Sequence, residues 1–184
     1  PFSETGKMEA GFRSTIKNLT MRNDYYSFNY LSDNWNEQLL LKNHFAFEEQ
    51  VHAVYGMYSG KISEVKYQLG LRAEQVFTNG TLELTGENFK NDYFSLYPTL
   101  HTGIELFPNN EIQFSYSRRV DRPSHRQINP YVDYSDSLNI SSGNPKLNPQ
   151  YVNSFEFGYS SMWNRTSFLT TLFLRQTDDV ISAV

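Results

Sequence analysis

The side chains with chemical reach cluster late in the chain. Arg118, Arg119, Asp121, Arg122, Arg126 and Asp133 form the conspicuous charge group, beside Tyr131 and Tyr134. Guanidinium forks pair with carboxylates, so such a group either grips a ligand or ties a loop to its scaffold, and tying is the commoner outcome. From Asp121 to Tyr151, Arg122, Arg126 and Lys146 balance Asp121, Asp133 and Asp136, so no charge preference for a ligand follows. Arg119, Asp121, Arg122, Arg126, Tyr131, Asp133 and Tyr134 are the candidate ligand contacts.

Metal and catalytic chemistry find less support. His44, His52 and His101 are expected on one interior face, yet their spacing fits no metal signature and reads as histidines bonded to neighbours. Asp133 with Asp136, and Asp178 with Asp179, lack the spaced oxygen ligands of a calcium loop. Neither a metal nor a cofactor is expected. There is no GxSxG, HExxH or phosphate-binding glycine loop. Ser95 and His101 share a face, but six residues of strand separate them by ~20 Å, beyond hydrogen bonding. No catalytic residue is expected.

The elements that carry these groups alternate with a period of two, which a helix cannot produce. In the clearest case Val65, Tyr67, Leu69, Leu71 and Ala73 oppose Glu64, Lys66, Gln68, Gly70, Arg72 and Glu74. The first strand has Met8, Ala10, Phe12 and Ile16 on its greasy face; its pattern breaks over 18–23, where a bulge or an irregular rim is expected, and resumes at Tyr26, Phe28 and Tyr30. Phe45, Phe47, Val51, Ala53, Tyr55 and Met57 mark the second strand, with His44, Glu48, Gln50 and His52 opposite. The fourth has Phe94, Leu96, Leu100 and Ile104 against Ser95, Thr99, His101 and Glu105, with a bulge expected at Pro98. Ile112, Phe114 and Tyr116 face outward in the fifth. Phe155, Phe157 and Tyr159 alternate with Glu156 and Gly158 in the sixth. The seventh, 166–175, is apolar on both parities and has no assigned facing.

Connections alternate too. Short turns are read near residues 60, 109 and 164, the first as Ser59-Gly60-Lys61, and long polar segments at 32–43, 77–91 and 122–152. That asymmetry belongs to outer-membrane barrels, and several strands outrun the ~10 residues of one span. Tyr55, Tyr58, Phe107 and Trp163, beside the short turns, suit an interfacial girdle. The longest segment carries Tyr131, Tyr134, Leu138, Ile140 and Leu147 with three Asn-Pro turns, so an ordered loop is expected.

Composition agrees. Aromatics are 16% of residues while mean hydropathy is -0.58, as when only one face of each strand must be greasy. No apolar run is long enough for a membrane helix. A net charge of -4 argues against nucleic acid as partner, and the absence of cysteine removes disulfides. Pro1 is not a start residue, no leader pattern follows it, and 181–184 carry no end signal. The chain is read as an internal piece of a longer protein.

The stretch SYSRRVDRPSHRQINPYVDYSDSLNISSGNPKLNPQYVNSFEFGY, Ser115 to Tyr159, resembles the barrel region of TonB-dependent outer-membrane receptors, closest to the outer-membrane β-barrel family common in Bacteroidota. KMEAGF, Gly70-Leu71-Arg72-Ala73-Glu74 and Tyr97-Pro98-Thr99-Leu100 are similar to further pieces of the pattern, in order. The resemblance implies a bacterial outer-membrane location and uptake of a scarce ligand such as a siderophore, glycan or peptide. It also implies a plug, with no counterpart here, that contacts the TonB complex, and a surface lipoprotein as a further partner. With about 22 strands in such transporters, seven make about a third of the wall.

The expected fold is therefore all-β: part of an antiparallel up-and-down transmembrane barrel wall. Glu64, Lys66, Gln68, Arg72, Glu74, His101, Glu105 and Glu156 are expected to face the lumen. Two other readings stand beside this one: a soluble β-rich binding module, such as a carbohydrate-binding sandwich, and a barrel-borne hydrolase.

Overall fold

A computed structural model of the chain describes residues 6–134, 136 and 138–181. Pro1 and residues 182–184, on which the reading of cut ends partly rests, lie outside them. Seven long strands, β1 (Lys7–Asn23), β4 (Asn43–Ile62), β5 (Val65–Leu82), β6 (Glu87–Phe107), β7 (Asn110–Asp121), β10 (Gln150–Trp163) and β11 (Thr166–Asp178), form one antiparallel sheet in that order. Two small pairs lie in the connections: β2 (Tyr26–Asn29) with β3 (Asn34–Glu37), and β8 (Val132–Asp133) with β9 (Ser141–Ser142). A single helical turn, α1 (His125–Ile128), opens the longest one.

The connections sit alternately at two ends. At one end lie two-residue turns at 63–64, 108–109 and 164–165, where Ser63, Asn109 and Asn164 take positive φ. At the other lie 24–42, 83–86 and 122–149. The first hairpin closes three residues later than expected, at Ser63 and not Gly60. Gly60 is instead the cross-strand partner of Tyr67, whose ring occupies the space a Cβ would need. This places Glu64 in the turn, and it does not belong to a lumen-facing strand position.

Cross-strand partners share a face, so the register carries facing from strand to strand. Leu69 pairs with Tyr58 and Leu100, Leu100 with Tyr116, Tyr116 with Phe155, and Phe155 with Leu174. That face is the outer one. Gln68, His101, Ser115 and Glu156 lie on the other, inner face. The rule settles β11: Phe168, Leu172 and Leu174 are outward, Leu169 and Phe173 inward. It also corrects β4. Tyr55 and Met57 face inward, opposite Arg72 and Gly70, and Tyr55 is not part of an outer girdle. His52 pairs with Ser14 and Gln75 on the outer face, and His44 shares its parity, so neither shares a face with His101.

Polarity inverts part-way up the strands. In the lower halves the outer face is apolar and bare, with Phe12, Leu69, Leu71 and Phe94 at least half exposed. In the upper halves Asn18, Thr20, Asn79 and Lys90 face out, while Leu19, Met21, Phe45, Phe47, Leu82 and Phe89 pack on the inner face. This inversion replaces two expected features. β1 keeps an unbroken register with β4 from Lys7 to Asn23, so there is no bulge over 18–23. Residues 77–91 are mostly strand, with only 83–86 as the turn. Both stretches looked irregular because the greasy parity switches. Pro98 likewise keeps its register with Leu71; the ladder that ends beside this residue, which has no N–H, is the one to β7, at Thr99 and Ser117. The bulge lies lower, at Glu105 to Phe107, and returns Phe107 to the outer face.

Twenty-one residues of β6 reach roughly 70 Å at ~3.3 Å each, against an apolar band ~25 Å tall in membrane barrels. The upper halves therefore stand clear of any bilayer.

Candidate functional site

The segment 122–149 folds inward and lies on the inner face of β4, β5 and β6. Its apolar anchor is Ile128, buried with Phe45, Phe47 and Leu82 and flanked by Tyr131 and Leu147. Burying a side chain of this size stabilises by about 1.5–3 kcal/mol. α1 starts with a capping box, in which Ser124 Oγ accepts from the Gln127 N–H and Gln127 Oε1 accepts from the Ser124 N–H. The chain then folds back so that the Gly143 N–H donates to the Asn129 carbonyl and the Asn144 N–H to that of Gln127. Gly143 must be glycine, because a Cβ there would meet the carbonyl oxygens of Arg126, Gln127 and Asn129 at 2.5–2.8 Å.

Polar contacts fasten the loop to the wall. Tyr131 Oη donates to the Leu41 carbonyl at 2.7 Å, Asn91 Nδ2 to that of Leu147 at 3.2 Å, and Asn129 Nδ2 to Asn43 Oδ1 at 3.4 Å. At the loop's first residue, Arg122 donates through Nη2 to Glu74 and through Nε to Tyr93 Oη at 3.0 Å. Glu74 is 3% exposed, and its other oxygen is held by Arg72 at 2.5 Å.

Above Thr99 the sheet changes layer. Tyr151, on the same side of β10 as Phe155, has its hydroxyl 2.6 Å from that of Ser95, on the same side of β6 as His101. The tops of β7 and β10 thus lie over the inner face of β6. Tyr97 is buried beneath Tyr151 with ring centroids 6.5 Å apart, and the Arg118 guanidinium stacks on Tyr151 at 4.6 Å. Ser95 is engaged with Tyr151 rather than with His101.

Below the loop the inner face is a polar trough of about 670 Å³ whose lining includes Lys66, Gln68, His101, Glu111 and Glu156. Lys66 Nζ is 3.9 Å from Glu111, and Gln68 Nε2 donates to Met57 Sδ. Glu105, on the same face, accepts from the Asn109 N–H at the turn. Arg119 and Asp121 line a second hollow of about 270 Å³ with Glu156 and Arg175.

The candidate ligand contacts are thus dispersed. Arg122 and Tyr131 hold the loop, Asp133 belongs to β8, and Arg126 and Tyr134 are exposed on the loop. Arg119 and Asp121 share one hollow, and Asp133 lies close enough to Tyr131 to act on its phenol. Glu74, Tyr93, Tyr97 and Tyr151 converge unannounced, since their meeting depends on a layer change that alternation cannot signal. Among the described residues, no group of three or more His, Asp or Glu is placed to hold a metal.

At the rim, Asp24 accepts from Lys42 at 3.1 Å and contacts His44 at 2.8 Å. The Lys42 hydrogen bond holds its carboxyl below the usual aspartate value, with His44 adding to the effect.

The model of the family described as outer membrane protein beta-barrel family matches residues 1–184. No curated protein matches the chain.

Proposed function

The chain belongs to the outer membrane β-barrel family, and from that membership we propose that it supplies wall and mouth of a receptor importing a scarce ligand by TonB-dependent transport. Its place in the bacterial outer membrane follows from the family, and the bare apolar outer faces of the lower strand halves are the surface that lipid covers. The soluble binding module is set aside on the same grounds.

The observation that carries the receptor reading is the seating of 122–149 on the inner face. A wall that only spans the bilayer needs neither strands that outrun it nor a loop folded across its mouth. Polar side chains below that loop line the route a solute would take. A siderophore, glycan or peptide fits this description equally. The TonB complex would act through a plug, and a surface lipoprotein partner would meet the outward end of the sheet. No catalytic role is assigned to Ser95 or His101.

Binding of the full-length parent, purified in detergent, to the isolated periplasmic domain of TonB tests the reading without knowledge of the ligand. Saturable binding is expected. Absence of binding, with the parent folded by heat-modifiable gel mobility, overturns it.

A further inference from the structure

We propose that Arg72, Tyr97 and Arg118 form an oxyanion subsite beneath the loop, taking a carboxylate or phosphate group of the imported solute. The inference deepens the receptor reading and rests on it. Its starting point is three buried polar atoms without a hydrogen-bond partner, Arg72 Nε, Tyr97 Oη and Arg118 Nε. Tyr97 is itself only 6% exposed. Buried polar groups are rarely left unpaired, and an unmatched one calls for an explanation, such as a water or ion that it holds.

The three atoms belong to one patch. Arg72 and Tyr97 are direct cross-strand partners on the inner face, and Tyr97 and Arg118 are linked through Tyr151. The neighbouring acceptors are already used. Glu74 spends one oxygen on Arg72 and the other on Arg122, the Ser95 and Tyr151 hydroxyls bond each other, and Tyr93 Oη accepts from Arg122. The charged donors Arg72 Nε and Arg118 Nε are left without an acceptor. A neutral polyol carries donors of its own and needs acceptors in return, whereas an oxyanion only accepts.

Charge points the same way. Arg72 and Arg122 share one carboxylate, Glu74, and Arg118 stacks on Tyr151; Glu49, which lines the loop interface with Arg122, forms no ion pair with any of the three. The Arg72 side chain is 40% exposed, so the patch meets solvent at that guanidinium. Charge-assisted hydrogen bonds from guanidinium and phenol donors are the strong kind, and Arg suits carboxylate and phosphate geometry.

The test is calorimetric titration of the full-length parent in detergent with malonate and with phosphate at constant ionic strength, and with acetamide as the uncharged control. Heat-modifiable mobility verifies folding of each variant. Wild type is expected to bind one or both anions and not acetamide; which anion binds tells carboxylate from phosphate recognition. Tyr97→Phe and Arg118→Gln should each bind roughly tenfold more weakly or worse. No anion heat with wild type, or undiminished affinity in both variants, overturns the subsite and leaves bound water as the partner of these donors. If TonB binds while anions do not, the subsite alone fails. If anions bind in a Tyr97-dependent way while TonB does not, the receptor reading fails and the subsite stands.

Discussion

Arg122 and Glu74, 48 residues apart, are joined by an ion pair that fastens the first residue of the loop to the middle of β5. Because Arg72 holds the other oxygen of Glu74, the carboxylate keeps a partner when the loop lifts. Glu74→Gln should loosen the loop by about 1–3 kcal/mol, below the usual cost of breaking a buried pair because both arginines are partly exposed. Limited proteolysis should then cut within 122–149 while the wall stays resistant.

Ile128 is the apolar counterpart of that tether. Ile128→Ala should weaken docking by about 2–4 kcal/mol, as truncation of a buried aliphatic side chain does. Ile140, 58% exposed on the same loop, is the control, and Ile140→Ala should be silent. Hydrogen exchange over 122–149 reads both.

The inversion of polarity along one strand predicts opposite responses on one face. Phe12 and Thr20 both point outward from β1, at different heights. Phe12→Arg should cost about 2–4 kcal/mol if near the bilayer midplane, and Thr20→Arg close to nothing. Leu69→Arg should behave like the first, and Gln68→Arg, inside the wall, should cost far less. Folding into lipid vesicles with urea titration supplies the numbers.

Acid should loosen the rim around 24–42. The Asp24 carboxyl is depressed chiefly by its hydrogen bond from Lys42, so the stability it contributes is present above the ordinary aspartate value near 4. That stability is lost as pH falls through the lower folded value. Hydrogen exchange in this segment should rise between about pH 4 and the acid limit, and Asp24→Asn should remove the dependence.

Much of this architecture was legible in the chain. The alternation of Val65 to Glu74 and of Glu111 to Ser117 gave strand type and facing, because one face there meets lipid and the other water. It misled where that contrast reverses. Leu19 and Met21, or Leu82 and Phe89, are greasy on the parity that is polar below, and a reader who assumes one lipid face per strand sees a bulge or a loop. The seating of the loop could be expected from its apolar and proline content. Its partners could not, since Arg122 with Glu74 and Tyr151 with Ser95 depend on how the sheet changes layer above Thr99.

If the loop seated on the inner face is a working part of the mouth, replacing it should spare the wall and impair uptake. Residues 122–149 of the parent would be exchanged for a short Gly/Asn turn joining Asp121 to Gln150, which already pair in the ladder. Surface abundance, heat-modifiable mobility and uptake would be read in the same cells, with the solute chosen as the nutrient whose use requires the parent gene. The expected result is a wall that assembles at normal abundance, because strand ladders and lipid-facing side chains hold it, together with a clear fall in uptake. Normal uptake through the shortened protein, or failure of the wall to assemble, would contradict it.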